Sequence, residues 1–485
     1  MKQNLKSAIL IVNELFFHYI CIRIISSTKL FGTMKQLLII ALLALGITFP
    51  LNIYSQNNLP CKKERIYSLS MIWKELEYNF AFPSYIQRHE LDSLYLEYLP
   101  KIENVKDEYE YYRILSSFMA NMNESHTRII PPQNLPYDMP PIITSNIGKH
   151  IYVKNIDRKI LKSIPLKSEI TAVNGIPVMD FLIDSVYQYI GASTAHWKFD
   201  KAVTEMLYGK INSKVHLSIK TPKGKKKDIE LTRNLLQNKK KIIMADTAYT
   251  APMIIKYLKG SIAYIHLSTC AGNKVGEIQQ IFYRNLQKLL KCKGLIVDVR
   301  GNRGGTDQAW YLLAYCSMPG KEFRHKGKWV TRKHIASYKG YGSTDRKFEE
   351  YFNGLAMEEI HYPPYKNGVP DSLKLTQPMV ILSGQYVGSA AEDFVQLMKE
   401  NNRAVIVGEP TVGCIGEPML IELPCGYKAM ISAKAYITNE GSQLNDTGIL
   451  PDIEVKPDFI DFLKGEDNQL NMAIDIITTQ IVNFK

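Results

Sequence analysis

The sequence predicts an α/β protein in which a layered core follows a helical region and a β-rich region, and three patterns support that fold class. Apolar residues recur at helical spacing through residues 57–130, and short alternating stretches with Asn-Gly and Gly-Lys turns run through residues 142–235. From residue 250 to 457, strand-like apolar runs alternate with helical stretches, which is typical of a layered α/β domain. Residues 458–485 are predicted to be a C-terminal helical tail.

The helical region is predicted from two amphipathic stretches, residues 67–80 and 109–122. Five prolines between residues 131 and 141 then mark a linker. In the core, the predicted strands are residues 261–267, 295–299, 379–382, 404–407 and 428–437, and the predicted helices are residues 275–290, 309–315 and 390–399. Residues 320–375, rich in Tyr, Lys and Gly, are predicted to form an excursion over the functional site.

Composition indicates an ordinary globular protein of two to four domains, with 485 residues, 46% hydrophobic and 22% charged. The net charge of +13 comes partly from basic clusters at residues 223–227 and 239–241, which carry no interleaved aromatic residues. Such clusters favour a solvated surface over a nucleic-acid face, so no nucleic-acid partner is predicted.

The N-terminus is predicted to be a secretory signal. Met34 and Lys35 precede an apolar run over residues 37–45, and a polar exit follows up to residue 56. Met34 is the predicted start, with residues 1–33 an upstream segment. The alternative is an uncleaved anchor, but the run is shorter than the roughly 20 residues that span a bilayer. The protein is therefore predicted to be secreted or periplasmic, with no stable membrane span after signal removal. Outer-surface attachment is not expected, because Cys61 lacks the small preceding residues of a lipoprotein cysteine.

The cysteines indicate neither a metal site nor a disulfide framework. Seven occur, none in a C-x-x-C pair, so no zinc site, metal or cofactor is predicted. They are scattered over a large domain, which is typical of buried small hydrophobic residues. Whether Cys414 and Cys425 pair is left open.

Ser389 is the candidate nucleophile. The strand at residues 379–382 leads through Val387-Gly388 to Ser389, and a helix is predicted from Ala390. A strand, a tight turn, a serine and a helix expose a hydroxyl and point backbone N–H groups at a nascent oxyanion. The alternative is that Ser389 simply caps an ordinary helix.

A glycine-rich turn is the candidate partner of this serine. The buried strand at residues 295–299 runs into Gly304-Gly305, where the backbone can approach another group closely. The spacing does not fit a phosphate-binding loop. Gly304, Gly305 and Ala390 are therefore predicted to supply the N–H donors of an oxyanion hole.

Four ordered blocks resemble the signature of the C-terminal processing and tricorn-core serine peptidases. They span about 155 residues and read Asp298-x-Arg300-x-Asn302-x-Gly304-Gly305, Gly388-Ser389-Ala390-Ala391-Glu392, Val407-Gly408-Glu409-x-Thr411-x-Gly413 and Gly448-Ile449-x-Pro451-Asp452-Ile453. The resemblance implies a crotonase-like layered catalytic core with an N-terminal helical bundle and an inserted PDZ-like domain.

The resemblance also implies which residue activates the serine. One branch of the family uses a lysine after the serine, but Cys414 stands at that position. The tricorn branch uses a Ser-His pair before the PDZ module, which Ser125-His126 matches. His126 is thus expected to be the general base and Ser125 to orient it. Where that branch carries a supporting glutamate, this chain has Asn445 followed by Asp446, and the sequence leaves open which of them supports His126.

The PDZ-like assignment rests on residues 142–235, in which Val173-Asn174-Gly175 follows a turn. That turn carries Lys167-Ser168 where such modules usually have Gly-Asp. The module is interpreted either as a peptide receptor that works by strand addition or as a spacer.

The predicted function is secreted serine endopeptidase activity on peptides or unfolded proteins through an acyl-enzyme. The alternative is a catalytically inactive peptide- or ligand-binding protein of the same fold, because fold alone does not fix function. An α/β-hydrolase esterase is disfavoured, since Val387 and Ala391 replace the glycines of G-x-S-x-G.

Overall fold

The computed structural model describes residues 59–235, 242–244, 251–332, 350 and 354–483. The predicted secretory signal lies outside the described residues. Within those residues, no helix is both long enough and apolar enough to cross a membrane.

The N-terminal region contains three helices, one more than the sequence predicts. They are α1 (Lys62–Asn79), α2 (Arg88–Glu103) and α3 (Glu108–Ala120), and the short strand β1 (Arg128–Ile130) follows them. Their buried face includes Leu69, Ile72, Leu115 and Phe118, each fully buried. The sequence analysis missed α2, which carries Pro100 near its C-terminal end.

The β-rich region forms a seven-stranded sheet in the order β10-β4-β5-β8-β9, with β3 paired to β4 and β6 to β5. Its strands are β3 (Ile142–Ile147), β4 (His150–Asp157), β5 (Glu169–Val173), β6 (Ile176–Pro177), β8 (Lys214–Lys220), β9 (Lys226–Thr232) and β10 (Ile242–Met244). The short strands β2 (Tyr137–Asp138) and β7 (Gly209–Lys210) pair beside it. Two helices accompany the sheet, α4 (Val178–Phe181) and α5 (Ala195–Glu205).

The core is built on a six-stranded sheet in the order β11-β12-β13-β18-β19-β23. Its strands are β11 (Met253–Leu258), β12 (Ile262–Leu267), β13 (Gly294–Asp298), β18 (Met379–Ser383), β19 (Val405–Gly408) and β23 (Ile453–Glu454). All neighbours are parallel except β11 and β12. Strands β12, β13, β18 and β19 are apolar along almost their whole length because helices cover both faces of the sheet.

Helices on the two faces make the core a three-layer structure. One apolar cluster packs α6 (Val275–Leu289), α7 (Tyr311–Ser317) and α8 (Ala390–Glu400) on one face. The other face is covered by α10 (Asn468–Asn483), through Ala473 and Ile477, after the short α9 (Phe459–Lys464). The α/β class is therefore as predicted.

Smaller sheets surround the core. They contain β14 (Glu322–Phe323), β15 (Lys328–Arg332), β16 (Met357–Ile360), β17 (Tyr365–Lys366), β20 (Pro418–Glu422), β21 (Lys428–Ser432) and β22 (Lys434–Ile437). The single strand predicted at residues 428–437 is thus two strands, β21 and β22, separated by Ala433. These strands join different sheets, since β21 pairs with β1 and β20 while β22 pairs with β15.

Two strand pairings position the segments that the candidate site is built from. Strands β13 and β18 are parallel neighbours, with Asp298 opposite Leu382, so the loops that follow them emerge side by side. The antiparallel pairing of β1 with β21 sets Ile129 opposite Ala429 and so attaches the end of the helical region to the core.

Candidate active site

Ser389 occupies a strained backbone position at the start of α8. Its φ is 53° and its ψ is −129°, and its hydroxyl makes no capping hydrogen bond to the helix. A non-glycine residue held at positive φ costs about 1–3 kcal/mol and is found mostly where function requires it. Glu392, at the third position of the helix, accepts the Ser389 N–H as in a capping box and ties the turn to the helix.

The buried carboxylate of Glu392 braces the turn that carries Ser389. It accepts hydrogen bonds from the backbone N–H of Ser389 (2.9 Å), the Thr411 hydroxyl (2.6 Å) and the N–H groups of Gly413 (2.7 Å) and Cys414 (2.9 Å). Burial raises the pKa of Glu392, and these donors oppose that rise. Glu392 therefore ties the second and third sequence blocks together.

Gly304 lies directly against Ser389. A Cβ on Gly304 would come within 2.7 Å of the Ser389 Cβ and 2.9 Å of the Ala390 nitrogen, and the Gly304 φ is +87°. Only glycine can occupy this position so close to Ser389. However, the Gly304 N–H already donates to the Asn302 Oδ1 at 3.0 Å, so it is not available as the oxyanion donor that the sequence analysis expected.

Two other backbone N–H groups at this point have no partner. Neither the Gly305 N–H nor the Ala390 N–H donates a hydrogen bond to another described residue. Gly305 is held by the main chain on either side, because Cys270 N–H donates to Gly304 O (3.2 Å) and Thr306 N–H donates to Cys270 O (2.8 Å). Both N–H groups belong to segments that touch Ser389.

His126 lies just before β1, which the pairing with β21 attaches to the core. The Thr127 hydroxyl reinforces this attachment by accepting the Ser432 N–H at 3.2 Å. The His126 Nδ1 is buried without a hydrogen bond. Burial lowers the pKa of His126, the nearby cations Arg128 and Lys201 act in the same direction, and the Glu124 carboxylate opposes them.

Glu124 is the residue that sequence reasoning missed. Its side chain is fully buried, and one of its oxygens lies 3.9 Å from the His126 Nδ1. It also accepts the N–H of His126 (3.1 Å) and both the N–H (2.8 Å) and the hydroxyl (2.6 Å) of Thr127. The sequence shows a glutamate two residues before the candidate base histidine, but the burial that sets it apart appears only in the fold.

Ser125 is engaged elsewhere. Its hydroxyl donates to the Ser193 hydroxyl at 3.0 Å and accepts the Ser193 N–H at 2.9 Å. This pair ties the end of the helical region to the segment that leads into α5. The Ser125 hydroxyl donates its proton to Ser193 and not to the His126 ring, and the Glu124 carboxylate lies 3.9 Å from the His126 Nδ1.

The two candidates for the supporting residue, Asn445 and Asp446, lie in different environments. Asn445 is 1% exposed, and its Oδ1 is buried without a hydrogen bond. Asp446 is exposed and accepts the Tyr85 hydroxyl at 2.5 Å. Of the two, only Asn445 offers an unused buried polar atom.

Cys414 connects the two halves of the site. A Cβ on Gly388 would come within 3.1 Å of the Cys414 Sγ, which places the thiol beside the Ser389 turn. Burial raises the pKa of Cys414, and the carboxylates of Glu392 and Glu124 raise it further. The negative charge of Glu124, which lies beside His126, therefore disfavours ionisation of the Cys414 thiol, which lies beside the Ser389 turn. Cys414 and Cys425 are both free thiols.

A cavity of about 940 Å³ opens onto Ser389. Gly305 and Ala390 line it together with residues 324–329 and 359–366, so the segment predicted to pass over the site forms much of its wall. Among the described residues, no group of three or more His, Cys, Asp and Glu side chains is placed to hold a metal ion.

Comparisons with known proteins show what the chain is similar to. Residues 261–455 match the sequence model of peptidase family S41. The chain is 23% identical over 377 residues to the carboxyl-terminal-processing protease of Synechocystis sp., covering 76% of this chain and 77% of that protein. It is 23% identical over 424 residues to a putative tricorn-like protease C-terminal subunit of Sulfurisphaera tokodaii, covering 84% of this chain and 42% of that protein.

The fold is also that of a solved structure. Mature CPAF superposes with a TM-score of 0.64 at 14% sequence identity, covering 87% of this chain and 98% of that one. The family match contains the candidate nucleophile and its glycine-rich partner loop. Residues 261–455 therefore carry a peptidase family S41 domain, and the chain is similar to serine peptidases of the C-terminal processing and tricorn-like type.

Proposed function

We propose that the protein is a secreted serine endopeptidase that cleaves peptides or unfolded proteins through an acyl-enzyme on Ser389. The observation that carries this proposal is the backbone at Ser389. A serine held at positive φ with an uncapped hydroxyl lies between two segments that each present an unpaired N–H. Such an arrangement has a structural cost and is suited to acyl transfer.

In the proposed first step, the Ser389 hydroxyl attacks the scissile carbonyl, and negative charge develops on the carbonyl oxygen. The N–H groups of Gly305 and Ala390 stabilise that charge. Ala390 begins α8, an 11-residue helix whose N-terminal dipole favours an anion. The oxyanion is stabilised most when the donors are fixed before the reaction, and Gly305 is held in place by the hydrogen bonds around Cys270.

His126 is the proposed general base. Its lowered pKa keeps the imidazole neutral at physiological pH, so a lone pair is available for the serine proton. Glu124 faces Nδ1 at 3.9 Å, which favours the tautomer with the proton on Nδ1 and leaves Nε2 to accept the proton of Ser389. We assign the orienting role to Glu124, and the buried amide of Asn445 is the competing candidate.

The β-rich region is proposed to act as a scaffold. The outer side of β3 is covered by α5, where the Thr144 hydroxyl donates to Val203 O at 2.5 Å and the Asn146 amide donates to Asp200 at 2.6 Å. A peptide added as a strand to β3 would have to displace these contacts. The segment around α5 also bonds the site loop, since the Thr194 hydroxyl donates to Val412 O at 3.0 Å. These contacts favour the spacer over the peptide receptor.

Export is part of the proposal and rests on the N-terminal sequence. A charged start, an apolar run and a polar exit fit a cleaved signal. N-terminal sequencing of the mature protein should find a start near residue 56 or slightly before it. Mature protein that retains residues 37–45 would indicate an anchor instead.

The decisive experiment is labelling with a fluorophosphonate probe, followed by peptide mapping of the adduct. The proposal expects a single adduct on Ser389 and none on the Ser389→Ala variant. A folded wild-type protein that resists the probe and hydrolyses no peptide library would favour the inactive, ligand-binding alternative.

A further inference from the structure

Two of the cysteines in the described residues are exposed, Cys61 and Cys425, and the other four are buried or half-buried. The two exposed cysteines are about 360 residues apart in the chain, and the proposed chemistry uses neither of them. The proposed export would carry both thiols into a compartment where disulfides form and persist. Their positions in the fold therefore decide whether they can react with each other.

The backbone around Cys61 is held at the start of α1. The Cys61 N–H donates to the Glu64 Oε2 at 2.8 Å, and the Arg65 N–H donates to Cys61 O at 3.0 Å. The buried Arg65 guanidinium donates to Pro60 O at 2.8 Å. Cys61 is therefore fixed on the surface as the cap residue of the first helix, shortly after the predicted signal segment ends at residue 56.

Cys425 lies at the tip of the hairpin formed by β20 and β21. The turn at Pro424–Gly426 is closed by the Leu423 N–H, which donates to Tyr427 O at 2.8 Å. Within this turn, Cys425 has a φ of 58° and a ψ of 31°, a left-handed conformation that non-glycine residues seldom adopt. The turn therefore presents the Cys425 side chain at the surface in a defined place.

This hairpin turn packs against the helical region. Cα atoms of the turn come within 8 Å of Cα atoms of α1. Tyr427, which follows the turn, is 1% exposed and packs edge-on against Tyr111 of α3, with 5.0 Å between ring centroids. Its hydroxyl donates to Glu108 O at 3.4 Å. The tip of the hairpin is therefore docked on α1 and α3.

The two exposed thiols lie close together on this surface. Burial raises the pKa of Cys425, and the groups that raise it further are Glu64, Cys61 and Glu108. These three residues lie at the N-terminal ends of α1 and α3. The Cys425 side chain therefore faces the end of α1 that begins at Cys61.

We propose that Cys61 and Cys425 form a disulfide bond in the exported protein, and that this bond stabilises the junction between the helical region and the core. In the structure the two thiols are not bonded to each other. Forming the bond removes one proton and one electron from each thiol. An oxidised dithiol, such as the disulfide of an oxidoreductase, takes up both protons and both electrons and is reduced.

This inference rests on the proposed export and not on catalysis at Ser389. It also bears on the pairing of Cys414 with Cys425, which the sequence left open. Cys414 is buried beside the Ser389 turn and is not among the groups that act on Cys425, so that pairing is disfavoured.

The bond would act at the same junction that positions His126. Strand β21, which leaves the hairpin tip, pairs with β1, and β1 begins two residues after His126. A cross-link at the tip would fix the first turn of α1 beside this pairing. It would also close a loop of about 360 residues, and closing a long loop removes conformational entropy from the unfolded chain.

The bond is tested on purified protein equilibrated with reduced and oxidised glutathione at the ratio of an oxidising compartment. Free thiols are then alkylated, and peptides are mapped by mass spectrometry without reductant. We expect one cross-linked pair of peptides, joining Cys61 to Cys425 within a single chain, and alkylation of every other cysteine. Alkylation of both Cys61 and Cys425, or a bond from either of them to a different cysteine or to a second chain, would overturn the proposal.

Thermal unfolding measures what the bond does. Dithiothreitol should lower the unfolding midpoint of the oxidised protein by about 5 °C. Cys61→Ser and Cys425→Ser should each show that lower midpoint and no further response to the reductant. Cys292→Ser, which removes a half-buried thiol just after α6, should respond to the reductant as the wild type does.

A mapped bond between Cys61 and Cys425 without any change in the midpoint would overturn its stabilising role. A response to dithiothreitol that persists in both serine variants would also overturn that role, because other cysteines would then be responsible. Neither measurement depends on activity at Ser389, so the fluorophosphonate result and the disulfide result can fail separately.

Discussion

The two halves of the candidate site are built in different ways. Ser389, its turn and the helix that follows belong to one continuous stretch of sequence, after a strand that begins at Met379. His126 lies just before β1, which pairs with β21 about 300 residues further along the chain. The position of the nucleophile is therefore set by neighbouring residues in the sequence, whereas the position of the candidate base depends on tertiary contacts.

The largest expected effect tests whether Ser389 and His126 act as one catalytic unit. Ser389→Ala and His126→Ala should each lower kcat by about 10⁶-fold, and the double variant should lose no more than either single variant. Peptide hydrolysis with matched thermal unfolding curves measures this. Cys414→Ala serves as the control and should keep activity, because its thiol is protonated and cannot act as a base. Strong activity in His126→Ala would show that Ser389 does not depend on His126.

The next largest effect identifies the group that orients His126. Glu124→Gln should lower kcat by up to about 10⁴-fold, since an amide cannot stabilise the imidazolium that forms during the reaction. Asn445→Ala should cost much less. Steady-state kinetics of the two variants decide between them, and a larger loss in Asn445→Ala would transfer the orienting role to the asparagine.

On the Ser389 side, Ala390→Pro removes one proposed oxyanion donor; because proline also restricts the backbone of the preceding Ser389, its kinetics are compared only with a matched thermal unfolding curve. Proline is well tolerated at the first position of a helix, where its missing N–H would have no helical partner. We expect kcat to fall by about 10²–10³-fold with KM little changed. A variant that keeps full activity would show that the Ala390 N–H does not contact the oxyanion.

The smallest expected effect concerns pH. His126 must be neutral to act as a base, and its pKa is lowered, so kcat/KM should fall on acidification with a midpoint below the ordinary histidine value of about 6.5. Lys201→Met removes a cation that lowers this pKa and should move the midpoint upwards by a fraction of a pH unit. Lys198→Met, on the same helix, should leave it unchanged, because Lys198 is not among the charges that act on His126. A midpoint near that of lysine would contradict the assignment.

Sequence alone predicted the parts of the molecule that depend on short-range pattern. The helix after Ser389, the central parallel strands and the close glycine turn all follow from periodicity and glycine placement. Sequence could not show that the Gly304 N–H is consumed by the Asn302 side chain, because that bond depends on how the loop folds. For the same reason it could not distinguish Glu124 from Ser125 as the neighbour of the His126 ring. The sequence analysis also missed the break at Ala433, where the residues predicted to form one strand belong to two different sheets.

The pairing of β1 with β21 has a consequence for biosynthesis. The ribosome makes His126 early and Ser389 late, but the strand that attaches the His126 segment to the core ends at Ser432. In the proposed mechanism, a nascent chain that has emerged as far as Ser389 still lacks a positioned base. Hydrolytic competence then arises only after the chain as far as Ser432 has also been translated, which protects the nascent chain and its neighbours from premature cleavage.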